Sequence, residues 1–352
     1  MEERDRVVGK RIKQARWRAG VSQRGLGAKA KVSAQAVSKY ERGLDVPSSD
    51  VLIRLARALE VRPEFLTRPD ALGAPALAFR SCRKLSKKTQ RKAEAQVADL
   101  VERYQQAQAL LIPDETPSLD LPDKAVRKVR EPNDAERLAE DLRSRWKLGT
   151  GPLENLVETL EDKGIKLESV DLGDDVDACL FQSDDAGPVI AVSPNSPGDR
   201  QRFSVARELG HLVLLPTASL DIEKAANRFA GAFLVPKESA HRELGQKRSR
   251  VSLQELAYLK QKYKVSMQSW IYRALDLHIL SPPAARRLFS LFRARGWREK
   301  EPGTQIPPER PRRLELIVWR LLADDLISRS RAAELLGIRA SELPSDKAVS
   351  YA

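Results

Sequence analysis

Five residues near the middle of the chain, Arg207-Glu208-Leu209-Gly210-His211, have the spacing most directly tied to chemistry. Residues four apart on a helix share a face. Two histidines at these positions would both reach one zinc ion, and the carboxylate beside the first would activate the bound water. Here the carboxylate is Glu208, a catalytic general base if the site is active. His211 is one ligand candidate. Glu223, twelve residues later, is a second, on a following helix. The first ligand position is Arg207. A guanidinium stays protonated, offers only donors, and places a positive charge where the cation would sit. His241 and His278, the other two histidines, do not stand four residues from His211. Arg207, Glu208, His211 and Glu223 are therefore expected to form a metal-free polar cluster. In it Glu208 and Glu223 would neutralise Arg207, and no cofactor is expected. Zinc held by His211 and Glu223 is the alternative.

These residues need a buried helix and a sheet behind it. Phe203, Ala206, Leu209, Leu212 and Val213 predict a helix over 202–215, after a turn at 194–199. Ala226, Phe229, Ala230 and Phe233 predict another over 223–234. Strands are expected at 165–170, 178–182 and 189–192, and further helices at 135–148 and from Leu153, closed by Gly164. A sheet of few strands packed on several helices is an α+β arrangement.

The front of the chain offers a different chemistry. Val8, Ile12 and Ala15 predict a helix over 4–19, ended by Gly20. Ser22 caps a second helix starting at Gln23, and Ser33 caps a third over 34–41. Leu52, Leu55, Ala56 and Leu59 line a fourth. Two short helices joined by a tight turn inside a small bundle present the second helix to the DNA major groove. Its outward residues would be Ala34, Gln35, Ser38 and Lys39, of which Gln35 and Lys39 can donate to base edges. Arg42, Arg16 and Arg18 are expected to meet phosphates.

The charge agrees with a polyanionic partner: the 352-residue chain carries a formal +13. Seven Lys or Arg and no acid fall between Ala71 and Lys92, acids dominate from there to Leu180, and basic residues return in the rear. This alternation predicts modules at 1–70 (DNA-binding), 71–130 (basic linker, helix and irregular connector), 131–240 (α+β) and 241–352 (helical). Within the connector, Ser86 should cap a helix over 87–111, followed by irregular chain at 112–133. No run of 18 apolar residues occurs, which argues against a membrane partner. No secretory signal is evident, so a cytoplasmic location with reduced Cys82 and Cys179 is expected.

The stretch Arg16-x-x-x-Gly20-x-Ser22-Gln23, with Ala30-x-Val32-Ser33, Val37-Ser38-Lys39-Tyr40-Glu41-Arg42-Gly43 and Leu52-x-x-Leu55-Ala56, resembles the XRE family of lambda-repressor-like DNA-binding domains. The resemblance implies that Gln23 touches phosphate and supports base readout by Ala34, Gln35, Ser38 and Lys39. It also implies a homodimer on a palindromic site. Asp199-Arg200-x-Arg202-Phe203-x-x-Ala206-x-Glu208-Leu209-Gly210-His211-Leu212, with Glu223-x-x-Ala226-Asn227-x-Phe229-Ala230, resembles the ImmA/IrrE family of metallopeptidase-like domains, with a zincin-like fold. Members of that family cleave repressors, and their first histidine falls on Arg207 here. Tyr263-Lys264-Val265-Ser266-Met267-Gln268 resembles a second small helix-turn-helix pattern, expected to pack against the middle domain.

The sequence thus predicts a multidomain transcriptional regulator of double-stranded DNA. Its inactive peptidase-like domain would sense a small molecule or contact a protein. An active zinc peptidase cleaving a repressor-type protein and an antitoxin-like protein-binding regulator are the alternatives.

Overall fold

The computed structural model describes residues 3–68, 78–79, 85–111, 118–123, 127–183, 187–217, 220–298 and 300–344. An all-α front domain precedes a mixed α+β middle and a helical rear.

The front domain consists of α1 (Glu3–Arg18), α2 (Gln23–Ala30), α3 (Ala34–Glu41), α4 (Ser49–Ala58) and α5 (Pro63–Thr67). The Ser22 and Ser33 hydroxyls accept from the amides of Gly25 and Ala36, each at 3.0 Å, and so satisfy donors that the first helical turn leaves unpaired. Ile12, Ala15, Leu26, Val37, Leu55 and Leu66 are fully buried in its core. Between α2 and α3 the chain turns through Lys31, in the left-handed region at φ 55°. A Cβ on Gly27 would lie 2.7 Å from the Val32 carbonyl oxygen, so this turn requires glycine.

In the middle, β1 (Ala78–Phe79), β3 (Lys166–Ser169), β4 (Ala178–Ser183) and β5 (Gly187–Val192) form a sheet in the order β1-β4-β5-β3. The β4–β5 pair is antiparallel and the β3–β5 pair parallel. Alternation sends Leu180, Ile190 and Val192 to one face and Phe181, Val189 and Ala191 to the other, and all six are buried. The first face meets α9 (Gly198–Val213), which packs on α10 (Ile222–Leu234) and, through it, α7 (Pro132–Arg145). The second meets α6 (Lys87–Gln108), α15 (Arg313–Ala323) and α16 (Arg329–Leu336). Connector and tail therefore cover the sheet together.

Three expectations change. The segment assigned to a turn at 194–199 already contains the first two residues of α9, whose Gly198 amide donates to the Ile306 carbonyl at 2.8 Å. Within 112–133, β2 (Lys128–Val129) pairs with β6 (Leu215–Pro216) and α7 already begins at Pro132; residues 112–117 and 124–126 lie outside the described residues. Cys179 is disulfide-bonded rather than a free thiol. Pairing of Phe79 with Phe181 brings the preceding chain alongside its strand, while Cys82 lies outside the described residues.

The proline-rich segment 301–311 straps the molecule from outside the helices. Glu309 accepts from the amides of Leu156 and Val157, each at 2.9 Å, at the start of α8 (Leu156–Asp162), and pairs with buried Arg202. Lys260 is buried between Asp199 at 2.8 Å and Glu301 at 3.0 Å, and burying such a cation requires these partners.

In the rear, α12 (Leu253–Tyr263) and α13 (Met267–Asp276) repeat the α2–α3 turn. Lys264 has φ 53° and Ser266 caps α13, as Lys31 and Ser33 do in front. The α13 face nonetheless packs inward: Met267, Trp270 and Ile271 are fully buried. After it comes α14 (Pro282–Ala294). No described helix is long and apolar enough to cross a membrane.

Candidate nucleic-acid interface and metal-motif helix

The second helix of the front pair carries its polar residues outward. Ala34, Gln35, Lys39 and Arg42 are exposed and Ser38 is half-buried, while Val37 and Tyr40 anchor the opposite face. The Arg42 guanidinium donates from Nε to the Ser38 carbonyl at 3.2 Å, which lays its side chain along the end of α3.

Gln23 also bonds within the domain. Its Nε2 donates to Glu41 Oε2 at 2.8 Å. Arg16 donates to the same carboxylate from Nε at 2.5 Å and from Nη2 at 3.0 Å, and to the Val21 carbonyl at 2.9 Å. Arg16, Gln23 and buried Glu41 thus tie α1, α2 and α3 together, a two-pronged guanidinium–carboxylate contact supported by an amide. The sequence placed Arg16 among phosphate contacts, and the structure revises this. Arg18 is likewise committed, to Asp99 of α6 at 3.1 Å. Glu41 stood within the motif, but nothing in its spacing from Arg16 showed that the two meet.

On α9, Arg207 Nη2 donates to Glu208 Oε1 at 3.0 Å, and Glu208 is fully buried. His211 Nε2 lies 3.4 Å from Glu223 Oε1, within ion-pair range but without hydrogen-bond alignment. Glu223 was expected beside Arg207 and instead accompanies His211. The reason is packing: α10 crosses α9 at Gly210, where an added Cβ would lie 3.1 Å from Phe229 and 3.3 Å from the Ala226 backbone. Arg207 Nε and His211 Nε2 are buried without a hydrogen-bond partner among the described residues.

The donor set does not fit zinc. His211 and Glu223 supply two ligands where a catalytic site uses three, and the third direction holds a cation. Among the described residues no group of three His, Cys, Asp or Glu side chains is placed to hold a metal. His241 sits on α11 (Lys237–Leu244), with Nδ1 3.3 Å from the Gly245 carbonyl, and lines a separate cavity with Glu140 and Arg143.

Comparison with known proteins assigns both regions. Residues 12–66 match the family model described as helix-turn-helix, and residues 160–275 match the IrrE N-terminal-like domain. The HTH-type transcriptional regulator ImmR of Bacillus subtilis (strain 168) is 33% identical over 63 residues, covering 18% of this chain and 50% of that protein. The chain therefore spans about half the length of this curated relative. The molecule joins an N-terminal helix-turn-helix domain to an IrrE-like α+β domain.

Proposed function

We propose that this protein is a sequence-specific DNA-binding regulator. Gln35 and Lys39 would read base edges, Ala34 and Ser38 would complete the groove face, and Arg42 and Gln23 would support it at the backbone. The carrying observation is the outward polar face of α3, held by buried Val37 and Tyr40. Exposed donors on the second helix of such a pair are what major-groove readout requires. The IrrE-like domain would serve as a metal-free sensor or protein-contact domain, because Arg207 occupies a ligand position. A homodimer acting on a palindromic site, in the cytoplasm, belongs to the same reading.

The test is to select an operator and measure binding to it and to scrambled duplex at fixed salt. Replacing Gln35 and Lys39 with Ala is expected to lower operator affinity by about 1–3 kcal/mol per lost base contact, with little change on scrambled DNA. An equal loss on both duplexes would refute base reading by α3.

A further inference from the structure

A cavity of about 860 Å³ lies where the front domain meets the rest of the chain. Arg18 and the end of α4 form one wall, α6 another, and β3 with the segment 311–344 the remainder. That volume is typical of small-molecule sites.

Several donors in its wall already have acceptors. Arg18 and Arg103 pair with Asp99 at 3.1 and 3.0 Å, and Arg103 also donates to the Leu335 carbonyl at 3.1 Å. The Arg312 amide is taken up by Glu161 at 3.1 Å, and the Arg312 residue is solvent-exposed. Lys29, at the mouth, is solvent-exposed. Two half-buried acceptors are left over. Gln96 Oε1 is buried with no hydrogen-bond partner among the described residues. Glu168 has Arg103 Nη2 only at 3.9 Å, beyond hydrogen-bond length. A buried acceptor without a donor is costly, and a half-buried carboxylate facing an open cavity favours a cation. Apart from the exposed carboxylates Glu60, Glu315 and Glu342, the rest of the wall is apolar or aromatic, including Leu100, Ile338 and Trp319.

We propose that this cavity binds a small organic cation, a primary amine with an apolar or aromatic body. Glu168 takes up the ammonium group, Gln96 Oε1 offers a second acceptor, and Leu100, Ile338 and Trp319 receive the body. An occupant would touch both the front domain and the sheet, so it would act as the regulator's effector. That consequence rests on the DNA-binding reading; binding itself does not.

The experiment titrates the full chain, without DNA, with tryptamine and with its acidic counterpart indole-3-propionate, followed by calorimetry. Saturable one-site binding of tryptamine is expected, with none for the acid. Burial pushes the Glu168 carboxyl up to about 7, so the titration is run at about pH 8, where the carboxylate form prevails. Glu168→Gln should weaken tryptamine at least about tenfold, or about 1.4 kcal/mol. Ala58→Trp, which fills the cavity from a half-buried position on α4, should weaken it at least as much while leaving Glu168 in place; it carries the test if Glu168→Gln fails to fold. Absence of saturable tryptamine binding, unchanged affinity in folded Glu168→Gln or in Ala58→Trp, or preference for the acid would overturn the proposal. Loss of operator binding alone would refute the DNA reading and leave this site standing.

Discussion

At Arg207 a guanidinium donates to a fully buried carboxylate from the position where a zinc ligand would stand. Elemental analysis after dialysis against trace zinc is expected to find far less than one zinc per wild-type chain. Arg207→His should gain tightly held zinc, since His211 and Glu223 already approach within 3.4 Å. Without metal, the same variant should lose about 1–3 kcal/mol as Glu208 loses a charge-assisted partner. Roughly one zinc per wild-type chain would refute this account, and metal in neither protein would show that more than Arg207 has changed. Glu168 gives a pH test. Its folded pKa of about 7 lies above the unfolded carboxylate value of about 4.3, chiefly through burial. The folded state therefore holds the extra proton between these values, and stability falls as pH rises through this window. Glu168→Gln should flatten that part of the stability profile and be more stable than wild type above pH 7. An unchanged slope in urea melts between pH 5 and 7 would count against it.

Between elements, packing sets tighter limits than helix propensity. The α9–α10 crossing leaves no ordinary room for a side chain at Gly210. Gly210→Val should cost about 1–3 kcal/mol by forcing the helices apart. Gly151→Ala, where nothing lies within 4 Å and φ is not positive, should be near neutral in the same urea titration. A costless Gly210→Val would mean that the crossing is looser than its geometry. Two turns of the chain also share the order Lys-Val-Ser-x-Gln, at 31–35 and 264–268. Their left-handed Lys and capping Ser are alike, yet α3 shows its polar face to solvent and α13 buries Met267 and Ile271. The motif specifies a turn; the neighbouring side chains specify its use.

Across the whole molecule, the front domain docks on α6 through charge. Arg11 donates to Glu102 at 2.5 and 2.8 Å, Arg18 pairs with Asp99, and Arg68 pairs with Glu334 of α16. The connector helix is thus part of the body as well as a tether. Lys87 and Lys88 stand exposed in its first turn, where the helix dipole disfavours cations, so stability does not explain them. If they meet phosphate, replacing both with Gln should lower the slope of log binding constant against log salt by up to about 1.8, since each phosphate contact contributes about 0.9. Thermal stability should not fall. An unchanged slope would return them to the solvated surface.

The sequence by itself determined what local chemistry encodes. Ser22, Ser33, Ser86 and Ser266 cap the expected helices, and the alternation at 178–182 and 189–192 marks strands. Arg207 excludes its own position as a metal ligand, whatever surrounds it, because a guanidinium has no lone pair to offer. Tertiary structure alone decided the partners. Arg16 meets Glu41 across 25 residues, and Glu309 caps a helix more than 150 residues away. Glu223 goes to His211 rather than Arg207, and tail helices cover a sheet that lies well before them in sequence. Hydrophobic and capping patterns repeat over a few residues and are visible along the chain. Ion pairs and cavity walls depend on how distant elements cross, which no local spacing records.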